Sequence, residues 1–201
     1  MNDLDTRVVI RFLHDRTPVL IRPLVASDKA GLRTGFKRLS ERSRYHRFFT
    51  PMKALSEAML ERLTDIDYRR HMAWVALDIS RLPAIGVGVV RYVALEDRPG
   101  VAEMALTIVD SHHGRGLGAT LLAVLSDSAA ANNFSRFEGN VLAENEGMVK
   151  LLRRRGATLK LDGPGVFHFT MPVHSQQSSF PYDARRSLDE HCLPASQFLV
   201  A

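Results

Sequence analysis

Residues 108–119 read Ile-Val-Asp-Ser-His-His-Gly-Arg-Gly-Leu-Gly-Ala, and this stretch decides the fold prediction. Apolar residues in Val101–Val109 predict a strand before it, and the leucines of Leu117–Ala131 share one face of a predicted helix after it. A glycine-rich turn between a strand and a helix directs backbone N–H groups and the positive end of the helix dipole at one point. The expected ligand is a pyrophosphate, to which Arg115 adds a positive charge.

The sequence of this turn also fits two other interpretations. Gly114-x-Gly116-x-x-Ala119 fits the dinucleotide-binding fingerprint formally, and Glu138 follows at a suitable distance. That fingerprint, however, belongs to the first strand–helix turn of a parallel unit. Here the turn comes after at least four predicted strands, and residues 110–113 separate the strand from the first glycine. The position disfavours a dinucleotide site, and a purely structural turn remains as the other alternative.

The segments on either side of the turn predict a mixed α/β domain. Upstream we predict a strand, three short helices starting near Ser27 or Asp28, Ser40 and Ser56, and an antiparallel meander. Downstream we predict a strand, a helix and a closing hairpin. This order is typical of a mixed sheet with helices on both faces. The predicted strands are Val19–Arg22, Met72–Leu77, Ala84–Leu95, Val101–Val109, Phe137–Leu142, Leu159–Leu161 and Val166–Met171, and the downstream helix is Asn145–Arg155.

Two motifs resemble those of the GNAT superfamily of N-acetyltransferases. Residues 113–118, His-Gly-Arg-Gly-Leu-Gly, are similar to its signature Arg/Gln-x-x-Gly-x-Gly/Ala, with His113 in place of Arg or Gln. Residues 145–152, followed by Arg155-Gly156-Ala157, are similar to its second motif. The resemblance covers about residues 18–172. It implies an α/β GNAT fold, in which a mixed, mostly antiparallel central sheet is splayed between the fourth and fifth core strands.

The resemblance also implies the cofactor and its site. Acetyl-CoA is the expected substrate, with pantetheine in the gap beyond the strand that ends near Ile108 and the pyrophosphate on the glycine-rich turn. Asn145 is expected to orient the cofactor, and helix capping is a compatible alternative role. The implied cofactor-binding residues are Leu106, Thr107, Ile108, His113, Gly114, Arg115, Gly116, Leu117, Gly118, Ala119 and Asn145.

A narrower resemblance concerns the acceptor. Residues 39–49 and 102–106 are similar to bacterial protein-lysine acetyltransferases that modify acyl-CoA synthetases. For the aromatic residues of the first segment, plain packing of a short helix is the alternative. The resemblance implies Glu103 as the general base that deprotonates a primary amine, with a protein lysine as the candidate acceptor. A solvated strand charge is the alternative for Glu103.

The second motif contains no tyrosine to protonate the leaving thiolate. The four tyrosines are Tyr45, Tyr68, Tyr92 and Tyr182, so the general acid stays unassigned. An acyl-CoA-binding module with weak or no catalysis is therefore the alternative function.

Composition limits the other classes of function. The 201 residues are 45% hydrophobic and 24% charged, which is typical of a globular domain. The net charge is +5, and its densest patch, residues 33–47, lacks an aromatic platform or a known motif for nucleic acid. Cys192 is the only cysteine, and His112 and His113 have no further ligand at metal spacing, so we predict no disulfide and no metal site.

We predict three regions along the chain. Residues 1–17 form an N-terminal leader with a short strand at Val8–Leu13, residues 18–172 form the acetyltransferase domain, and residues 173–201 form a tail of the composition typical of disorder. Met1–Arg16 lacks the apolar segment of a secretory signal, and no run approaches the ~18 apolar residues of a membrane helix. The expectation is a cytoplasmic protein without a membrane partner, and the sequence is compatible with a homodimer.

Overall fold

The computed structural model describes residues 8–174, and the predicted tail, apart from residues 173 and 174, lies outside them. The described strands are β1 (Val9–Phe12), β2 (Pro18–Pro23), β3 (His71–Asp78), β4 (Ile85–Ala94), β5 (Val101–Ile108), β6 (Arg136–Leu142), β7 (Thr158–Leu161) and β8 (Val166–Pro172). The described α-helices are α1 (Lys29–Lys37), α2 (Glu41–Phe48), α3 (Glu57–Thr64), α4 (Leu117–Ala131) and α5 (Glu146–Arg154).

The strands form one mixed sheet in the order β1-β2-β3-β4-β5-β6-β8-β7. Each of the first five strands pairs antiparallel with the next, and the chain leaves the sheet between β2 and β3 to form α1–α3. β1 is the short strand predicted at Val8–Leu13, so the N-terminal leader contributes an edge strand to the sheet. The mixed, mostly antiparallel sheet of the sequence prediction is confirmed.

The two halves of the sheet meet at β5 and β6, which run parallel. Their pairing joins Val101–Glu103 to residues 136–138 and extends no further among the residues described. On its other edge, β6 pairs with β8 along the whole of Arg136–Leu142, so β6 belongs to the second half of the sheet. The predicted splay between the fourth and fifth core strands is therefore the divergence of β5 from β6 after Glu103.

One face of the sheet is covered by α4. Leu121, Leu122 and Leu125 are fully buried, and the Trp74 indole of β3 donates a 2.9 Å hydrogen bond to the Ser128 hydroxyl of this helix. Burying a leucine or isoleucine side chain contributes about 1.5–3 kcal/mol, so this seam holds α4 firmly on the sheet. No helix within residues 8–174 has the length and apolar character needed to cross a membrane.

The opposite face is covered by the helices before β3. Side chains alternate along a strand, so Arg91 of β4 points away from α4, and its Nη1 lies 3.2 Å from the Leu63 carbonyl in α3. Ser40 and Ser56 cap α2 and α3 by accepting hydrogen bonds from the N–H groups of Ser43 and Met59. Helices on both faces of the sheet were predicted, and the structure confirms them.

A carboxylate ties the start of α2 to the end of β5. Asp110 follows β5 and accepts hydrogen bonds from the Ser40 backbone N–H (2.9 Å) and from the hydroxyls of Ser40 and Ser43 (both 2.7 Å). Burial raises the pKa of the Asp110 carboxyl, but these three hydrogen bonds outweigh burial and lower the pKa to about 2. The contact fixes α2 beside the turn that follows β5.

The pKa of Asp110 makes this contact sensitive to acid. Because its folded-state pKa lies below the ordinary value of about 3.9, the carboxylate stabilises the fold above that value and loses the effect as pH falls towards about 2. We expect Asp110→Asn to lower the free energy of unfolding at pH 7 by about 1 kcal/mol, since the carboxylate is solvent-exposed. The difference in the free energy of unfolding between wild type and Asp110→Asn should become smaller between pH 4 and pH 2 in urea unfolding experiments.

Asp97→Asn, at an exposed position in the turn before β5, is the matched control. We expect it to leave the pH dependence of unfolding as in wild type. If the free energy of unfolding of Asp110→Asn stayed below that of wild type by a constant amount from pH 7 to pH 3, the lowered pKa of Asp110 would be contradicted.

Candidate active site

The glycine-rich turn presents free backbone N–H groups at the start of α4. Gly114 (φ 72°) and Gly116 (φ 89°) have left-handed backbone conformations, which glycine adopts without a steric penalty. The N–H groups of residues 114–116 donate no hydrogen bond to any residue that the structure describes. Together with the unsatisfied N–H groups in the first turn of α4, they form a site suited to an anion.

The three glycines of the turn meet different neighbours. A Cβ at Gly114 would meet open space, whereas a Cβ at Gly116 would lie 2.7 Å from Nε2 of His14. A Cβ at Gly118 would lie 2.9 Å from a methyl carbon of Leu151 in α5 and within 3.6 Å of Leu106. Gly118 therefore allows α4 to pack closely against α5 and β5.

The histidines of the turn bind protein atoms. His113 Nε2 lies 2.8 Å from the carbonyl oxygen of Ile108, so its ring folds back onto the end of β5. His112 is buried, with Nε2 3.2 Å from the Asp78 carboxylate. Burial lowers the pKa of His112, and Asp78 opposes that shift. Within residues 8–174, no three His, Cys, Asp or Glu side chains are grouped as a metal site requires.

The divergence of β5 from β6 opens a cleft of about 280 Å³. Gly139 of β6 faces its inner end, where an added Cβ would come within 3.1 Å of the Met104 carbonyl oxygen and of the Phe169 ring. The cleft is lined by the end of α2, by the part of β5 beyond the pairing, and by the start of α5. These lining segments are residues 46–49, residues 103–106, residues 140–141, Asn145 and Met148.

Glu103 is the carboxylate of this cleft. It is the last residue of β5 that pairs with β6, and its side chain is exposed. The Leu106 side chain lies near Gly118, on the face of the sheet that α4 covers. Side chains alternate between the two faces of a strand, and Glu103 is three positions before Leu106, so the Glu103 side chain lies on the opposite face, on the side of α2. The carboxylate is thus at the inner end of the gap and open to a molecule that enters from the α2 side.

Two guanidinium groups accompany Glu103. Arg47 lines the cleft with its Cζ 5.0 Å from the centroid of the Phe48 ring, and burial lowers its pKa while the Glu103 carboxylate acts in the opposite direction. Arg91 lies behind it on β4, where burial and then the charge of Arg47 lower its pKa to about 9. Arg47, with Arg91 next to it, forms a cationic wall on the side of Glu103, in which Arg47 lines the cleft and Arg91 does not.

The remaining predicted residues have mixed roles. Asn145 lines the cleft, and its Oδ1 also accepts a 3.2 Å hydrogen bond from the Met148 N–H, so capping of α5 and a position beside the cleft coexist. The Phe48 ring packs 5.8 Å from the Phe36 ring and also borders the cleft. No tyrosine within residues 8–174 lines the cleft, and the Tyr92 hydroxyl is bound to the Arg69 carbonyl at 3.0 Å.

The dinucleotide alternative does not fit this geometry. The glycine-rich turn follows the fifth strand of a mostly antiparallel sheet, in which β5 pairs antiparallel with β4 and parallel with β6 over only Val101–Glu103, whereas a dinucleotide site opens an extended parallel sheet. Glu138, which that alternative requires for a ribose, is buried and forms an ion pair with Arg98.

Some residues at the site were not identified from the sequence. His14 and Asp15 belong to the turn between β1 and β2, which no motif marked as functional. Arg47 belongs both to the cationic patch and to the segment of residues 39–49 that resembles protein-lysine acetyltransferases, but neither feature predicted a position in the cleft beside Glu103.

Comparison with known proteins identifies the family of this domain. The model of the acetyltransferase (GNAT) domain family matches residues 19–158. An acetyltransferase of Pseudomonas aeruginosa is 39% identical over 139 residues, which is 69% of this chain and 74% of that protein. The acetyltransferase Pat of Mycolicibacterium smegmatis is 32% identical over 146 residues, which is 73% of this chain and 43% of Pat.

A solved structure gives the same result at the level of the fold. The GNAT domain of S. lividans PAT superimposes with a TM-score of 0.75 at 26% identity, covering 83% of this chain and 97% of that domain. The glycine-rich turn, the divergent strands and these matches together show that the chain belongs to the GNAT family of acetyltransferases.

Proposed function

We propose that this acetyltransferase transfers the acetyl group of acetyl-CoA directly to a primary amine, with Glu103 as the general base. The observation that supports this most strongly is the location of Glu103. Its exposed carboxylate lies where β5 and β6 separate, inside a cleft that opens beside α2. An amine that enters there meets a proton acceptor next to the gap in which the thioester is expected.

The cofactor is proposed to lie across two parts of the site. The free N–H groups of residues 114–116 and of the first turn of α4 would bind the pyrophosphate. The edge of β5 over Leu106–Ile108, which β6 leaves unpaired, would bind pantetheine through backbone hydrogen bonds. Asn145 borders the same cleft and is proposed to orient the cofactor.

The reaction requires a neutral amine. A lysine ammonium has a pKa of about 10.4, so roughly one amine in a few thousand is neutral at pH 7. Glu103 accepts the proton, the amine nitrogen bonds to the acetyl carbon, and the carbon–sulfur bond breaks. The leaving thiolate takes up a proton from water or the proton that the amine gives up.

The cationic wall supports a neutral amine as the reacting form. Arg47 and Arg91 lie on the side of the sheet that Glu103 faces, and both are desolvated. Like charges in such surroundings repel an incoming ammonium and favour its deprotonation. The wall therefore assists the base.

A protein lysine, such as one on an acyl-CoA synthetase, is the proposed acceptor. The cationic patch of residues 33–47 continues from α1 along α2 to the cleft. Arg33 is neutralised by Glu57, whereas Arg38 and Arg44 donate to backbone carbonyls and keep their charge. Such a surface disfavours a polyamine with several charges and favours an acidic protein surface.

Glu103→Gln tests the base. We expect this change to lower turnover with acetyl-CoA and an amine about 10²-fold or more, since a positioned base contributes roughly 10²–10⁴-fold. CoA affinity, measured by calorimetric titration, should stay unchanged because the side chain keeps its size. Glu96→Gln, an exposed position in the turn after β4, should behave like wild type.

If Glu103→Gln turned over within twofold of wild type, Glu103 would not be the general base. A wild-type protein that binds CoA but shows no turnover with any of a mixed pool of amines would favour the acyl-CoA-binding module instead.

Gly116→Ala tests the cofactor turn. A Cβ at φ 89° is strained and would meet the His14 ring, so the turn must shift. We expect CoA affinity to fall at least tenfold in calorimetric titration. Gly31→Ala is the matched control, because Gly31 lies in α1 with open space around its Cα, and the change should leave CoA affinity unaltered. Unchanged affinity in folded Gly116→Ala would make the turn structural only.

The acceptor is tested by competition. We expect acetylation of a folded acyl-CoA synthetase to exceed that of spermidine at equal concentration, and to weaken between 50 mM and 300 mM salt as screening reduces the attraction. Arg42→Glu should lower the rate with the synthetase and raise the rate with spermidine. Preference of wild type for spermidine, or synthetase acetylation that is independent of salt, would contradict a protein acceptor.

A further inference from the structure

The turn between β1 and β2 is bound to the glycine-rich turn. The His14 backbone N–H donates a 3.1 Å hydrogen bond to the Arg115 carbonyl oxygen, and the Asp15 carboxylate lies 3.2 Å from the Arg115 guanidinium. Leu13 and Thr17 close the first turn with a 2.9 Å hydrogen bond between their backbones. Two parts of the chain that are far apart in sequence thus form one surface at the start of α4.

The His14 ring lies directly on this surface. Its Nε2 and Cε1 atoms come within 2.7 Å and 3.0 Å of the point that a Cβ of Gly116 would occupy. The side chain is exposed, and neither ring nitrogen is hydrogen-bonded to another residue between positions 8 and 174. A ring N–H that is free of protein partners therefore lies beside the free backbone N–H groups of residues 114–116.

We propose that His14 donates a hydrogen bond to a phosphate of the bound CoA. Imidazole is a donor in both of its protonation states, and a hydrogen bond to a phosphate oxygen is charge-assisted. An anion held by the N–H groups of residues 114–116 lies within reach of a ring that rests on Gly116. Arg115, the cation that the sequence assigned to this site, is instead paired with Asp15.

This inference rests on the proposed binding of CoA at the glycine-rich turn and adds a residue from the N-terminal hairpin to it. The same chemistry fits the pyrophosphate and the 3′-phosphate of CoA. His14 would thereby couple the edge hairpin of the sheet to the cofactor, because ligand binding and hairpin docking share one surface.

The test compares His14→Phe with His14→Gln by calorimetric titration with CoA. Phenylalanine keeps a flat ring on Gly116 without an N–H, whereas glutamine restores an N–H donor at a similar reach. We expect the Kd of CoA to rise about tenfold in His14→Phe, as for the loss of one charge-assisted hydrogen bond, and to stay within threefold of wild type in His14→Gln. Thermal unfolding midpoints should match wild type, which excludes a folding defect.

Truncated ligands identify the phosphate. An effect of His14→Phe that persists with dephospho-CoA assigns the contact to the pyrophosphate, and an effect that disappears assigns it to the 3′-phosphate. With S-acetylpantetheine, which has no phosphate, kcat and KM should be equal in wild type and both variants.

Two results would overturn the proposal. CoA binding by folded His14→Phe that equals or exceeds that of wild type would mean that the ring only packs on Gly116. An equal loss of affinity in His14→Phe and His14→Gln would mean that the hydrogen-bond donor is irrelevant. Failure of wild type itself to bind CoA would instead contradict the cofactor site and this proposal together.

Discussion

The parallel pairing of β5 with β6 covers Val101–Glu103 and ends there, while β6 continues to Leu142 with β8 paired along its other edge. Gly139 allows a close approach of the two strands at this point, since an added Cβ would lie 3.1 Å from the Met104 carbonyl oxygen and from the Phe169 ring, which is tighter than an ordinary contact. The unpaired edge of β5, the cleft and the exposure of Glu103 all follow from this limit on pairing. A sheet paired along its full length would have no such gap.

Two contacts fix the walls of the cleft relative to the glycine-rich turn. Asp110 binds the first turn of α2 to the end of β5 through Ser40 and Ser43, and the packing of Leu151 over Gly118 holds α5 against α4. The α2 wall of the cleft and the glycine-rich turn are therefore attached to the same strand. This is the rigid support that the proposed direct transfer between two bound substrates would need.

Charge inside the cleft complements its shape. Arg91 is buried and lies close to Arg47, and Arg47 faces the carboxylate of Glu103. Burial is unfavourable for each guanidinium, yet it creates surroundings in which an ammonium is less stable than a neutral amine. The energetic cost of desolvating these groups would thus serve the chemistry that the cleft is proposed to carry out.

The sequence alone determined the elements and the turn. Alternation in the strands, leucine spacing in α4, and the glycines of residues 114–118 are local patterns, and the predicted bounds agree with the described ones to within one or two residues for most elements. Asp28 shows the limit of such patterns. It occupies the N-cap position of α1 as one of the two predicted caps, but its carboxylate binds Arg22 at 2.7 Å rather than capping the helix.

Only the tertiary structure decided which distant residues meet. His14 lies on Gly116, Arg47 faces Glu103 and Asp110 binds Ser40 because strand order and helix docking bring these segments together. Periodicity and spacing report the local backbone conformation, whereas such contacts depend on the register of the sheet and on the packing of whole helices. The motifs therefore predict a cofactor-binding turn and Glu103 as the base, which stay predictions, and the fold brings together the residues that surround both positions.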